Sequence, residues 1–530
     1  MAKDNFKLNL IYFGIWVLLL YLFVDPGYLS PDGVGYFAYL PSFFFDGDLY
    51  FLNEFKTLKL LAPLPLTKTG YIHNSWSFGA AFFWTPFYLI AKLLLTSTAS
   101  PYDSWAWIWI NSSTAFYAAL TFILLCKIQN VLGTKRHSLI PSLAFIGTPM
   151  FFYSFVIGNT SHGINGFITT LFIWYWIHSF RDFNKINRYI LLGLILGISF
   201  MVRQQDAIFG IVVIIELLYK CSDNRKNILK YFLIFFCFFI IGAFPQLLIW
   251  KIINGSFFST PNKFNISLNY FALYEVLFSS FHGLLYWTPI YFFAFAGIII
   301  GCFRKPVLYT GLLLAFTGQV IVNSLCVAFW EGHSFGLRQM TSLIPIVAIG
   351  LMEIQANFLN SPRKYKFYLW GVLIIPCLWT TGLMLNYFIG PDLGIYLSPK
   401  EIWQLQITLP FNLAKIIEVL AMRRAPIHFY AIITFISFLL FIFIWLANHL
   451  SLKNKTNLSI YFLLATILAY STLITVAHLN KPKTNLSNGK LVTQKESNEF
   501  FINQAEKTRI KFHQKKERLQ DKKAKSHRKP

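Results

Sequence analysis

Carboxylates are scarce in this chain, with 22 Asp and Glu against 46 Lys and Arg in 530 residues. Charged side chains of every kind make up 13%, where a soluble domain carries about 25%. That deficit excludes an ordinary soluble globular protein. The six cysteines, Cys126, Cys221, Cys237, Cys302, Cys326 and Cys377, lie in or at the ends of apolar runs without CxxC spacing, so neither a disulfide framework nor a zinc site is indicated. Walker and Rossmann glycine patterns, internal repeats and a soluble domain are also missing, which leaves nucleotide binding unsupported.

What the chain has instead is 56% hydrophobic and 19% aromatic residues. About thirteen apolar runs could each cross a bilayer, so the expectation is an all-α, polytopic membrane protein. The net charge of +24 follows from Lys and Arg clusters between the runs, where the positive-inside rule accounts for them without nucleic acid. The N-terminus leads into an apolar stretch, Leu8 to Val24, with no A-x-A cleavage site, and reads as an uncleaved first span starting in the cytoplasm. The segment Trp76 to Leu95 carries Gly79, Pro86 and Lys92 and is expected to be half-embedded. The loops around Arg136, Arg188, Lys226, Arg304, Lys364 and Lys453 then all fall in the cytoplasm. The opposite face receives the loop over residues 25–101, GNTSHGIN around His162, RQQD at Arg203 to Asp206, and EGHSFGLRQ at Glu331 to Gln339. Residues 1–478 form the membrane domain; the strongly basic tail, 479–530, has too few apolar positions for a core and is expected to be disordered.

The scarce acids collect in one place, DPGYLSPDGVGYFAYLPSFFFDGDLYFLNE, which holds Asp25, Asp32, Asp46, Asp48 and Glu54. Tyr36, Phe37, Leu40, Phe43 and Phe44 fall at helical spacing, as in a short helix lying in the membrane interface. Asp32 suits a general base, half of a metal site, or a helix N-terminal partner. Asp46-Gly47-Asp48 offers hard oxygens to a divalent cation, but Gly between two Asp is also ordinary turn chemistry, which is the favoured reading. Arg203 and Arg338 are the membrane-level cations to explain, either as anchors or as partners of a lipid phosphate. His73, His162, His282 and His333 share the external side without metal spacing, and His282 and His333 are candidate phosphate donors.

Four motifs carry a family resemblance: S-P-D-G-x-G-Y at Ser30 to Tyr36, N-x-W-x-x-G from Asn74, H-G-L-L-Y-W-T-P from His282, and S-F-G-x-R ending at Arg338. Together they resemble the GT-C glycosyltransferases, the superfamily of protein O-mannosyltransferases and aminoarabinose transferases that use polyprenyl-phosphate sugars. The resemblance covers roughly Leu8 to His478. It implies an inverting transfer of sugar from a polyprenyl-phosphate donor to an extracytoplasmic glycan, lipid or protein acceptor, with Asp32 as general base. It further implies donor-phosphate contacts from Arg203, Arg338, His333 and His282, an acceptor or cavity side with Tyr36, Asp46, Asp48 and His73, a bacterial inner membrane, and no cofactor beyond a possible divalent cation. Departures are Gly33 where the family has a second acid, Gly35 where the aminoarabinose transferases have Arg, and no K-P-P element. The rival reading is a transporter or flippase of a lipid-linked glycan, which would place ionisable groups at mid-membrane and repeat its halves.

Overall fold

The computed structural model describes residues 14–24, 28–60, 65–94, 100–133, 139–220, 225–259, 266, 269–326, 334–358, 362–389, 397–421, 427–449, 456–479 and 492–493. Among the described residues the chain is all-α apart from one pair of two-residue strands. Helix α1 (Gly14–Phe23) leads to the short helices α2 (Pro31–Phe37), α3 (Tyr39–Pro41) with a π-helical turn at Ser42–Asp46, and α4 (Leu52–Thr57). The body continues as α5 (Gly79–Leu94), α6 (Ser104–Leu132), α7 (Ile140–Ile146), α8 (Ser161–His178), α9 (Ile186–Val202), α10 (Ile211–Lys220) and α11 (Arg225–Asn254). It closes with α12 (Leu273–Phe278), α13 (Leu284–Trp287), α14 (Ile290–Arg304), α15 (Pro306–Ser324), α16 (Ile344–Asn357), α17 (Arg363–Asn386), α18 (Pro399–Ala421), α19 (Ile427–His449) and α20 (Thr456–Leu479).

Among the described residues, six helices are long and apolar enough to cross a membrane and five more are apolar but of 10–17 residues. The chain is an integral membrane protein. A 3-10 turn at Gln204–Gly210 precedes the short α10, whereas the 3-10 turn at Arg338–Leu343 runs on into α16 and forms with it one of the six spans, Arg338–Asn357. Helix α5 has 16 residues with Pro86 inside, about 24 Å at 1.5 Å per residue, less than the ~30 Å hydrocarbon core.

Close helix contacts use glycine. Gly197 of α9 meets Gly242 and the backbone of α11, and Gly297 of α14 meets the backbone of α16 at Gly350; small residues let backbones approach where lipid gives no hydrophobic drive. The aromatic stripe of the first loop does not face lipid as expected of an interfacial helix. Tyr36, Phe37, Leu40 and Phe43 are buried and Phe44 is half-buried against the core, and Phe37 and the neighbouring Tyr39 make edge contacts with Tyr88 and Phe78.

The loop after α4 lies on the ends of α11 and α20. Thr69 Oγ1 donates to the Ile253 carbonyl, and Tyr71 Oη is 2.6 Å from His478 Nδ1. Val492–Thr493, a described piece of the basic tail beyond α20, pairs in parallel with Pro65–Leu66. Helix α20 therefore ends, and this piece of the tail returns, on the same face as the first loop.

Candidate active site

Asp32 stands in the first turn of α2, but it is not the cap. Ser30 is: its Oγ accepts from Gly33 N at 3.0 Å and donates to Asn159 Oδ1 at 2.6 Å. Asn159 Oδ1 also accepts from Ser30 N, and its amide donates to the Tyr28 carbonyl and Asn111 Oδ1. A buried amide from the turn before α8 thus fixes the start of α2. With the capping role taken by serine, the Asp32 carboxylate is left for other contacts.

Those contacts come from two distant segments. Arg338 Nη1, at the start of the 3-10 turn before α16, is 2.7 Å from Asp32 Oδ2, and Trp76 Nε1 donates to Asp32 Oδ1 at 3.0 Å. The side chains of Arg338 and Asp32 are 11% and 20% exposed. The pair is sheltered but open to an entering molecule.

Around this pair lies a second layer of polar groups. Ser161 Oγ donates to Tyr36 Oη at 2.9 Å. Arg203, buried where α9 ends, brings Nη1 to 3.4 Å from Ser161 Oγ and from both ring nitrogens of His162. A ring nitrogen that accepts from a guanidinium belongs to the neutral imidazole. Burial pushes the Tyr36 phenol up from its ordinary value, opposed by the Arg203 charge, with Asp32 raising it further, so Tyr36 serves as a neutral hydrogen-bonding group. The Tyr153 ring packs tilted against the His162 ring with centroids 4.8 Å apart, and its Oη accepts from Phe335 N at 2.8 Å, which steadies the backbone three residues before Arg338. Asp206 does not turn to Arg203 as a local ion pair would require; its Oδ2 accepts from Ser199 Oγ at 2.7 Å.

The two glycines that depart from the family pattern have a local reason. A Cβ on Gly33 would overlap the Asn159 side chain, and one on Gly35 would overlap the Trp76 indole. A second acid at 33 or an arginine at 35 has no room here.

The remaining predicted residues are placed elsewhere. His282, with φ of 62°, lies between Phe281 and Trp287 and has Nδ1 at 3.3 Å from Ser334 Oγ; this joins it to the segment leading to Arg338. His73 is buried with Nδ1 at 2.9 Å from Asn254 Oδ1, and desolvation lowers its pKa, which keeps it neutral. Asp46 and Asp48 flank Gly47, whose φ is 68°. Asp46 accepts from Asn53 at 2.7 Å, and Asp48 Oδ1 accepts from Ser42 Oγ and Tyr50 N, so the D-G-D serves its own turn. Asp25, Glu331 and His333 lie outside the described residues. Sequence reasoning missed Trp76 and Asn159 as members of the site; N-x-W and GNTSHGIN were visible, but nothing in either says which distant group it meets.

No family model and no curated protein matches the chain. Solved structures to which it is similar include ArnT from Cupriavidus metallidurans bound to undecaprenyl phosphate, at 12% identity and a TM-score of 0.43, covering 91% of this chain and 77% of that one. The same protein in the apo state gives 10% identity and 0.45, over 91% and 78%. The oligosaccharyltransferase of Archaeoglobus fulgidus in the apo form gives 12% and 0.40, over 78% of this chain and 56% of that one. ArnT and the oligosaccharyltransferase are GT-C glycosyltransferases, and the chain is similar to them over most of its own length.

Proposed function

We propose that this protein is a membrane glycosyltransferase that moves a sugar from a polyprenyl-phosphate donor to an extracytoplasmic acceptor, with Asp32 as general base. The observation that carries the reading is the 2.7 Å pair of Asp32 and Arg338, with Arg203 close behind it, at one end of the helices. A base and two guanidinium groups in one sheltered pocket are what the transfer needs. The acceptor hydroxyl attacks the anomeric carbon, Asp32 takes its proton, and the glycosidic carbon–oxygen bond breaks with its electrons passing to the lipid phosphate. Attack and departure on opposite faces invert the configuration. General-base action contributes about 10² to 10⁴ in rate, and Arg338 and Arg203 stabilise the phosphate charge that develops on departure. Tyr36 lines the acceptor side, and His282 supports the Arg338 segment. The charge distribution favours the extracytoplasmic face of a bacterial inner membrane for this pocket.

The test is transfer of radiolabelled sugar from a panel of polyprenyl-phosphate donors by membranes carrying equal amounts of wild type and Asp32→Asn. Transfer by the wild type that falls at least about 100-fold in the variant supports both the class and the base. Equal transfer removes Asp32 from the mechanism. Movement of a lipid-linked glycan across vesicles with no transfer would favour the transporter instead.

A further inference from the structure

The Asn74-Ser75-Trp76 element has no part in the chemistry above, yet Trp76 is among the most tightly tied residues near the base. Its backbone N donates to Asn74 Oδ1 at 3.0 Å, and its carbonyl accepts from Tyr39 Oη at 2.9 Å. Asn74 Nδ2 donates back to the Gly35 carbonyl at 3.0 Å, and the indole lies on Gly35 where a Cβ would overlap it. Two turns of the first loop are thereby clamped to each other, and the one outward product is the indole N–H on Asp32 Oδ1.

We infer that Trp76 is the positioning residue for Asp32. Arg338 holds one carboxylate oxygen and Trp76 the other, from two segments far apart in sequence, so rotation of the carboxyl group is arrested in the plane that the acceptor hydroxyl must meet. The indole also stabilises the charged form of the carboxyl, because it donates to it. Unlike a second arginine, a neutral donor orients the base without adding a cation that would depress its basicity further. The inference rests on the transferase reading for its catalytic meaning, but the geometry at Asp32 can be read without any donor sugar.

Among the described residues, the charged and titratable groups around Asp32 include Arg338, Tyr36 one turn along α2, and Tyr153 and His162 from the facing segments, with Arg203 close to Tyr36 and His162. None of them changes when the Trp76 donor is removed. The experiment compares wild type, Trp76→Phe, and protein with Trp76 replaced by its benzothienyl isostere, in which sulfur takes the place of N–H and the shape is kept. Carbodiimide-driven amidation of Asp32, followed by mass spectrometry across pH on the full purified chain, reports the protonation of the carboxyl. The expected result is a midpoint about one pH unit higher in both variants, the size that one hydrogen bond to a charged group supports. Transfer should fall about tenfold in kcat with an unchanged KM for the donor, and its acid limb should move by the same amount.

A midpoint that stays at the wild-type value in the isostere overturns the inference, whatever happens to Trp76→Phe. A shifted midpoint in a protein that transfers no sugar leaves the positioning role standing and removes the transferase reading. An unshifted midpoint together with a dead Asp32→Asn variant does the reverse.

Discussion

Two carboxylates at opposite ends of α8 and α9 are held by the same kinds of partner, an arginine and an indole N–H, and the difference between them lies in burial. At one end Asp32 meets Arg338 at 2.7 Å and Trp76 at 3.0 Å. At the other, Glu216 of α10 meets Arg188 at 2.7 Å, Trp176 at 2.8 Å and Lys220 at 3.1 Å. The side chains of Glu216 and Arg188 are 0% and 1% exposed, those of Asp32 and Arg338 20% and 11%. Glu216 has donors on both oxygens within the protein and is sealed, which makes it a staple between α8, α9 and α10. Asp32 has a comparable set but retains a path to what enters. Donor identity alone therefore does not mark a site; access does.

The largest expected effect breaks the sealed end. Arg188→Met leaves the buried Glu216 with the Trp176 indole and the partly exposed Lys220 but without its buried cation, and removal of one partner of a buried pair costs about 3–5 kcal/mol. It should appear as a steep fall in melting temperature or a failure to yield monodisperse protein. Restoring packing with Arg188→Met/Glu216→Leu should recover most of that loss, because a hydrophobic replacement of a whole buried pair is often neutral. Arg338→Met should melt closer to the wild type, since water can reach Asp32, yet transfer should drop by about 100-fold or more. If Arg338→Met unfolds as readily as Arg188→Met, the contrast between staple and site fails.

A finer version keeps the charge and changes its shape. Arg338→Lys retains a cation beside Asp32 but loses the planar fork that suits both carboxylate and phosphate. Transfer about tenfold down, with a raised KM for the donor, would show that the fork serves the donor as well as the base. An unchanged KM would confine Arg338 to Asp32.

How much of this was legible in the sequence follows from which forces are local. The apolar runs announced the helical membrane fold, because burying backbone in lipid demands helices and each needs its own stretch of apolar residues. The crowding of Asp32, Arg203 and Arg338 onto one face followed from charge alone. What was not legible is who holds whom. Ser30 rather than Asp32 caps α2 because Asn159, 129 residues away, takes the serine hydroxyl, and no local signal encodes that contact. Gly33 and Gly35 read as departures from a family pattern until Asn159 and Trp76 were seen pressed against them. The aromatic stripe of the first loop had the right period but the wrong neighbour, since periodicity tells which face is apolar and not whether lipid or protein covers it.

A third carboxylate sharpens the comparison from the other side. Glu54 in α4 is fully buried, and desolvation, with Asp46 beside it, pushes its pKa from 4.5 up to about 10. It has neither an arginine nor an indole, so it answers burial by keeping its proton. Because the folded value lies above the unfolded one, the folded state binds more protons between about pH 4.5 and pH 10, and stability falls as pH rises through that window. Glu54→Gln, which has no proton to lose, should match the wild type near pH 5 and exceed it increasingly toward pH 9, by at least about 1 kcal/mol. Parallel melting curves for the two proteins across that range would mean that Glu54 is ionised and paired.

The smallest effect concerns an ion pair as short as the others. Lys185 Nζ is 2.7 Å from Asp182 Oδ1, the same separation as Arg188 from Glu216, but the two side chains are 70% and 49% exposed. Both pairs lie at the same end of the helices, and Lys185 precedes Arg188 by one helical turn, so chain context is nearly held constant while burial changes. Water already solvates Lys185 and Asp182 when they are apart, and salt screens what attraction remains. Lys185→Gln should change stability by less than about 0.5 kcal/mol, with melting insensitive to ionic strength beyond the wild-type response. A loss comparable to that of Arg188→Met would mean that short distance, rather than exclusion of water, sets the strength of these pairs, and the distinction between the sealed staple and the open site would lose its physical basis.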